Sequence, residues 1–248
     1  MKTRADQHLV NLGLAESRTQ AQRLIMAGQV FEGTRRIEKA GAQLAADTVL
    51  TVRGPLHPWV SRGGLKLAGA LEHFGLSPES CVAADIGAST GGFTDVLLTH
   101  GAAKVYAVDV GQGQLAWKLQ QDPRVVRLDG VNARYLTAEQ ILEPPEVIVC
   151  DTSFISLTLV LPAVMALAVP GAWLVALIKP QFEVGKENVG KGGIVRDAAL
   201  QAEVCDRIQT WLADEMHWSV LGITLSPITG ADGNREFLIA AVKPAKVF

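Results

Sequence analysis

From residue 60 onward, short apolar runs alternate with segments of helical period. The apolar runs are Val82–Ile86, Lys104–Asp109, Arg124–Leu128, Val147–Asp151 and Trp173–Ile178, and helical spacing covers Leu65–Phe74 and Ala198–Glu215. Strands that are apolar on both faces belong to a parallel sheet covered by helices. His217–Leu225 and Phe237–Val242 then follow one another without a helix between them, which predicts a closing antiparallel pair. The expected fold class is α/β, a doubly wound sheet preceded by a small α+β domain.

Residues 1–53 follow a different pattern. A short helix is expected around Arg4–Leu12, ended by Gly13, and Ser17 offers a cap for a second helix, Arg18–Ala27, stopped by Gly28. Gln29-Val30-Phe31, a turn at Glu32-Gly33-Thr34 and a return through Arg35-Arg36-Ile37 form a hairpin, and Thr48–Val52 adds a short strand. Gly54-Pro55-Leu56-His57-Pro58 is stiff and poor in donors. Domains are therefore expected at 1–53 and 61–248, joined by a linker at 54–60.

One stretch resembles a membrane span. Thr152–Ile178 holds 27 residues without a formal charge. Pro162 interrupts it and Val169-Pro170-Gly171 turns it, leaving a helix of about three turns and an apolar strand, each too short to cross. No membrane partner is expected. The 248 residues are 48% hydrophobic, enough for a sizeable core, and this excludes global disorder. Three cysteines without a C-x-x-C pair argue against a disulfide framework and against a metal site. Met1–Asp6 is polar and no secretory signal follows, so a cytoplasmic location is expected; a monomer is also expected.

The chain carries 23 Lys+Arg against 25 Asp+Glu, a formal charge of −2. That total hides a division. Residues 1–66 hold ten basic against five acidic side chains, and residues 67–248 hold thirteen against twenty. Arg4, Arg18, Arg23, Arg35 and Arg36 could converge on a nucleic-acid backbone or could line a solvated face; counting charges does not separate the two.

The most informative run is Ala83-Ala84-Asp85-Ile86-Gly87-Ala88-Ser89-Thr90-Gly91-Gly92-Phe93-Thr94. It leaves a strand, turns through glycines and enters a helix at Gly91 or Gly92, so bare backbone and helix amides face a ligand. The spacing is not G-x-G-x-x-G, which disfavours a dinucleotide. Asp85, just before the turn, would orient the loop or meet an ammonium, which suits S-adenosylmethionine better than a phosphate. Asp109 ends the next strand and can accept from ribose hydroxyls, and Asp129 with Asn132 would lie at an adenine edge. A lone strand-end aspartate is more often a helix cap; three at successive strand ends beside a glycine turn favour a nucleoside. Cofactor contacts are thus expected from Asp85, Gly87, Ala88, Ser89, Thr90, Gly91, Gly92, Phe93, Asp109, Asp129 and Asn132.

Four further charges gather at the same edge. Lys179 ends the apolar strand in Ala176-Leu177-Ile178-Lys179-Pro180, and Lys66 starts a helix in Ser61-Arg62-Gly63-Gly64-Leu65-Lys66. Asp151 ends another strand, and Glu236 follows Gly233-Asn234-Arg235. Each alone reads as a surface or capping charge. Together, balanced in sign, they predict a proton-transfer site.

The chain resembles the TlyA/hemolysin-A family of ribosomal RNA cytidine 2′-O-methyltransferases. The matching runs are Leu14-Ala15-Glu16-Ser17-Arg18, Trp59–Leu67, Asp85–Asp95, Val105–Gly113, Asn132-Ala133-Arg134-Tyr135-Leu136, Asp151–Leu161, Lys179–Phe182, Gly190–Asp197 and Ser226–Leu238. The resemblance implies an S4-type RNA-binding domain joined to a Rossmann-like methyltransferase domain related to the FtsJ group. It further implies S-adenosylmethionine as methyl donor, ribosomal RNA or a ribosomal subunit as partner, and a Lys-Asp-Lys-Glu tetrad at Lys66, Asp151, Lys179 and Glu236. The implied target is a cytidine of large-subunit rRNA, with the small subunit second; the brief tail after Leu238 leans toward the large subunit. Phe31-Glu32-Gly33 stands where similar domains carry Val-Asn-Gly, which weakens a phosphate contact by that turn. His57 stands where a basic residue often precedes the Trp-Val pair.

A ribose 2′-hydroxyl is a poor nucleophile at neutral pH. Lys179, partly desolvated beside Lys66, is expected to act as base or alkoxide stabiliser, with Asp151 and Glu236 orienting the lysines. A sulfonium supplies its own leaving group, so no metal is expected. Arg4 and Arg18 are the foremost candidates for rRNA contact. A non-catalytic S4 RNA-binding protein would leave the glycine loop and the four charges unexplained. A membrane-active hemolysin would need a span or an amphipathic insertion segment, and a nicotinamide-dependent dehydrogenase rests on fold analogy alone.

Overall fold

The computed structural model describes residues 2–53, 57–230 and 233–245; positions 54–56 of the expected linker and 246–248 of the expected second domain lie outside the described residues. The chain divides into two compact units, Met1–Pro58 and Trp59–Phe248.

The first unit runs β1 (Lys2–Arg4), α1 (Ala5–Asn11), α2 (Arg18–Met26), β2 (Val30–Glu32), β3 (Arg35–Arg36), β4 (Gln43–Ala45) and β5 (Leu50–Val52). β1 pairs antiparallel with β4, and β3-β2-β5 form a second small sheet. The expected first helix therefore starts one residue late. Arg4 is strand, with its backbone extended and its Cα opposite Gln43, and the Ala5 amide donates to the Ala42 carbonyl at 2.8 Å. α2 is capped as expected, the Gln20 amide donating to Ser17 Oγ at 3.2 Å. Helical spacing brings Ala5 and Leu9, and Ala21 and Ile25, into a core closed by Val30, Ile37, Leu44 and Leu50.

The second unit runs α3 (Gly63–Phe74), β6 (Val82–Ile86), α4 (Gly92–Thr99), β7 (Lys104–Asp109), α5 (Trp117–Gln120), β8 (Val125–Asp129), β9 (Val147–Cys150), α6 (Leu157–Val160), α7 (Pro162–Leu167), β10 (Trp173–Ile178), α8 (Pro180–Glu183), α9 (Ala198–Thr210), β11 (Ser219–Leu225) and β12 (Phe237–Val242). The sheet order is β11-β12-β10-β9-β6-β7-β8. β8, β7, β6, β9 and β10 are parallel, and β12 is antiparallel to both its neighbours. The expected mostly parallel sheet with an antiparallel end is what the chain forms.

Period-two alternation sorts the strands between two cores. Ala84, Ile86, Val108, Ile148, Cys150, Leu174, Ala176 and Ile178 face Val160, Val164, Val204 and Ile208. Ala83, Val105, Ala107, Val147, Val149, Val175 and Leu177 face Leu67, Leu71, Phe93, Val96 and Leu97. The uncharged stretch becomes α6, α7 and β10, broken at Pro162, the first residue of α7. Among the described residues no helix is long and apolar enough to cross a membrane.

Several boundaries shift by one or two residues. β8 runs from Val125 to Asp129, β9 stops at Cys150 and leaves Asp151 on the loop, and α9 ends in a π-helical turn, Trp211–Glu215. β6 has β7 on one side and β9 on the other. This is the place where strand order reverses and loops at carboxyl ends open a crevice.

Candidate active site

The glycine turn after β6 is packed against the loop after β9. Gly87 has φ +84°, and a Cβ there would lie 2.7 Å from the Asp151 carbonyl oxygen. Only glycine permits both that backbone and that approach. The Gly87 and Ala88 amides donate to the Val108 carbonyl at 2.9 and 3.1 Å, tying the turn to β7. Gly92 opens α4, and a Cβ on it would stand 2.3 Å from Ser61 Oγ and 3.0 Å from the Gly64 amide nitrogen. Asp109 holds the turn from the side, its carboxylate accepting from the Ser89 amide at 2.8 Å and the Gly111 amide at 2.7 Å.

Asp85 is fully buried. The Thr94 hydroxyl donates to its Oδ2 at 2.6 Å, while Oδ1 has no hydrogen-bond partner among the described residues. Burial pushes its carboxyl up to about 7; the Thr94 hydrogen bonds oppose that shift, and the charges of Asp151 and Asp109 add to it. Of the two roles expected for it, orienting the loop fits this geometry, through Thr94 on α4. Asp85 lines neither of the cavities described next.

A cavity of about 480 Å³ lies over Ile86, Gly87, Ser89, Val108 and Asp109, with Val110, Val131, Asn132 and Ala133 on its far wall. A second, of about 410 Å³, holds Lys66, Asp151, Lys179 and Glu236 together with Gly87, Ala88, Ser89, Thr90, Gly92 and Phe93. Gly87, Ser89, Asp151, Ser153 and Phe154 line both, so the cavities adjoin. Gly91 and Asp129 line neither. Gly91 supplies a left-handed cap for α4, with φ +95°. Asp129 is exposed, and its register partner on β7 is Asp109. The Asn132 side chain accepts from the Arg134 amide at 3.1 Å while lining the first cavity.

The four expected charges meet. Lys66 Nζ lies 2.7 Å from Glu236 Oε2 and 3.4 Å from Asp151 Oδ2, and Lys179 Nζ lies 2.5 Å from Asp151 Oδ1. Lys179 also donates to Ser153 Oγ at 3.1 Å. Both lysines and Glu236 are buried, and Asp151 is half-buried. Two ammoniums and two carboxylates cancel, which is the condition for keeping such a network dry.

Several lining residues were not anticipated: Ser61, Ser153, Phe154, Gln181 and Phe182. Gln181 and Phe182 directly follow Lys179-Pro180, so the signal was present in that run. Among the described residues no cluster of His, Cys, Asp or Glu is arranged to hold a metal ion.

In the first unit the expected arginines are less free than their charge suggests. Arg4 meets the carboxylate of Asp6 through two nitrogens, each at 3.0 Å, and Arg18 donates to the same carboxylate at 3.1 Å. Asp6 is fully buried and receives Gln22 Nε2 as well. Arg35 and Arg36 pair with Glu32 and Glu38 on an exposed strand edge. Arg23 lies in the last turn of α2.

The family model of FtsJ-like methyltransferases matches residues 59–243, and that of the S4 domain matches residues 3–50. A candidate rRNA methyltransferase of Bacillus subtilis, YqxC, is 50% identical over 239 residues, 96% of this chain and 85% of its own. TlyA of Mycobacterium tuberculosis, named a 16S/23S rRNA (cytidine-2′-O)-methyltransferase, is 47% identical over 239 residues, 96% of this chain and 89% of its own. The solved structure of a candidate hemolysin from Streptococcus thermophilus is 46% identical with a TM-score of 0.76, covering 98% of this chain and 89% of that one. With its S4 domain and the methyltransferase domain that follows, the chain belongs to the TlyA/hemolysin-A family of FtsJ-like methyltransferases.

Proposed function

We propose that this protein transfers a methyl group from S-adenosylmethionine to the 2′-oxygen of a cytidine ribose in ribosomal RNA, with 23S rRNA the expected target and 16S rRNA a second. The observation that carries this reading is the buried Lys66–Asp151–Lys179–Glu236 network, opening on a cavity that adjoins the glycine turn. The relatives named as rRNA cytidine-2′-O-methyltransferases supply the substrate class.

The first cavity suits a nucleoside by its chemistry. It offers an aliphatic wall from Ile86, Val108, Val110 and Val131, and polar groups at Asp109, Gln114 and Asn132. Asp109 would accept from the ribose hydroxyls with its remaining lone pairs, and Gly87, Ala88, Ser89, Thr90, Gly92 and Phe93 would bound the amino-acid end. When bound there, S-adenosylmethionine supplies an electrophilic methyl group on a positively charged sulfur.

The tetrad acts on the other reactant. Among the described residues Lys179 Nζ has two partners, Asp151 and Ser153, which leaves one of its positions for the ribose 2′-oxygen. Lys66 lies between two carboxylates and serves mainly to hold Asp151 and Glu236 in place. Once Lys179 has released one proton, its lone pair takes the 2′-hydroxyl proton as that oxygen bonds to the methyl carbon, and the ammonium restored by the transfer stabilises the oxygen, while Asp151 and Glu236 orient the lysines. Fixed placement of the 2′-oxygen beside these groups contributes the rest.

Residues 1–53 would bind the RNA and residues 61–248 would methylate it, in the cytoplasm. The side chains of Arg4 and Arg18 remain about half exposed after pairing with Asp6, so both still present N–H groups to a phosphate, joined by Arg23, Arg35 and Arg36. Incubating the purified protein with large and small ribosomal subunits and labelled S-adenosylmethionine, then mapping 2′-O-methyl positions, tests the reading. Label confined to a cytidine ribose is expected. Label on a base, or none on either subunit, would overturn it.

A further inference from the structure

The loops leaving β9 and β10 carry Asp151 and Lys179, and they are laced together by successive contacts. Nearest the sheet is the Lys179–Asp151 pair at 2.5 Å, and next the Lys179–Ser153 bond at 3.1 Å. Beyond these the rings of Phe154 and Phe182 lie 4.9 Å apart. At the far end the Glu183 carboxylate receives the Ser156 hydroxyl at 2.7 Å and the Leu157 amide at 2.8 Å.

The last contact is the costly one. Glu183 ends a four-residue helix, yet its side chain is only 3% exposed. Burial raises its carboxyl above the usual range, opposed by the Leu157 and Ser156 bonds and by Arg207. Arg207 reaches over it, donating to the Glu183 carbonyl at 2.5 Å. A buried carboxylate must be hydrogen-bonded, and here both side-chain bonds cross to the loop after β9. The loop after Asp151 is itself strained and irregular. Phe154 sits at φ +66°, a left-handed conformation that costs energy in any residue but glycine, and no regular element spans Thr152–Ile155.

We infer that Glu183 is a positioning residue for methyl transfer, fastening the loop after β10 to the loop after β9 so that Lys179 and Asp151 keep their separation. The inference rests on the methyltransferase reading above. It does not place Glu183 in contact with substrate. A glutamine at this position can keep both links, its oxygen accepting from the Leu157 amide and its NH₂ donating to Ser156 Oγ, whereas an alanine keeps neither.

The test compares Glu183→Ala and Glu183→Gln with the unaltered full chain in two measurements. In steady-state kinetics on ribosomal subunits, E183A should lower kcat by about tenfold or more and leave KM for S-adenosylmethionine within about twofold, with E183Q recovering most of the loss. In hydrogen exchange, E183A should speed exchange in segments 152–157 and 180–184 together while segment 87–93 is unchanged. Should E183A fail to fold, Ser156→Ala removes the hydroxyl's bond to Glu183 together with its cap on the Thr158 amide, keeps the Leu157 link, and should give the same pattern at smaller size. Unaltered kcat in E183A, equal losses in kcat and donor affinity without rescue by E183Q, or exchange speeding in only one of the two loops would overturn the inference. If the unaltered protein methylates no rRNA, the methyltransferase reading fails, and the joint exchange of the two loops still decides whether Glu183 fastens them.

Discussion

Lys66 and Lys179 share one carboxylate. Lys179 Nζ stands 2.5 Å from Asp151 Oδ1 and Lys66 Nζ stands 3.4 Å from Oδ2, but only Lys66 has a second carboxylate, Glu236, at 2.7 Å. Each lysine has two partners among the described residues, but Lys66 lies between two carboxylates while Lys179 meets one carboxylate and the Ser153 hydroxyl, and this asymmetry of charge divides their roles. Lys179→Met should lower kcat for methyl transfer by about 10²–10⁴, the usual contribution of a positioned proton-transfer group, with little change in donor affinity. Single-turnover rates with saturating donor check it.

Asp151→Asn should harm folding as well as rate. It leaves two buried ammoniums without their common counter-charge, and removing one partner from a buried network costs about 3–5 kcal/mol. Glu236→Gln, which leaves Asp151 between the lysines, should cost less. Denaturant midpoints of the two variants decide the order.

Gly87→Ala should damage both cavities at once. Its Cβ would stand 2.7 Å from the Asp151 carbonyl oxygen, a backbone atom, on a residue whose φ is +84°. The turn and the loop bearing Asp151 must then move apart. Donor affinity and kcat should both fall by about tenfold or more, as expected for displacements near 1 Å. Calorimetric titration with S-adenosylmethionine and the steady-state rate measure the two effects.

Asp85 gives the second unit a pH dependence of definite sign. Its folded carboxyl titrates near 7, against an ordinary value of 3.8. Between about pH 4 and 7 the folded chain keeps a proton that the unfolded chain has released. This group therefore lowers stability progressively as pH rises through that window, and the penalty is complete above 7. Asp85→Asn keeps an acceptor for Thr94 and has nothing to titrate. The stability difference between the variant and the unaltered chain should grow with pH from 4 to 7 and then level off.

Asp6 acts in the opposite sense. The Arg4 hydrogen bonds hold its carboxyl well below the usual range; burial opposes that shift, and bonds from Gln22 and Arg18 assist it. Its stabilisation is present above the ordinary carboxylate pKa near 4 and is lost as pH falls toward the depressed folded value. Asp6→Ala should destabilise the first unit by about 1–3 kcal/mol at pH 7 and remove that acid dependence. Arg4→Ala and Arg18→Ala should each reduce the salt dependence of RNA binding by about one phosphate contact. Binding isotherms at several salt concentrations, on variants shown to be folded, check this.

The parts of the molecule legible in the sequence are those that repeat a pattern. The parallel strands are apolar on both faces and long enough to show it, and the glycine turn, Lys66, Asp151, Lys179 and Glu236 stand at the ends of recognisable elements. β1 and β4 are three residues each, too short for an alternation to register, so Arg4 reads as helix until its ladder partner Gln43 is known. The strand-end aspartates illustrate a second limit. Asp85, Asp109 and Asp129 look alike in the chain, yet one is buried behind the turn, one clasps it and one faces solvent. Depth depends on which helix packs over each strand end, and no local spacing encodes that. Nor does it reveal that Arg4, Arg18 and Gln22 converge on Asp6, or that Glu183 reaches Ser156 across 27 positions.

The most direct measurement is nucleoside mass spectrometry of ribosomal RNA treated with the purified protein and S-adenosylmethionine, using the unaltered chain and Lys179→Ala in parallel. The account predicts 2′-O-methylcytidine from the unaltered chain and none above background from K179A, with both proteins folded. Methyl groups found on a base, or 2′-O-methylcytidine formed equally by K179A, would contradict it.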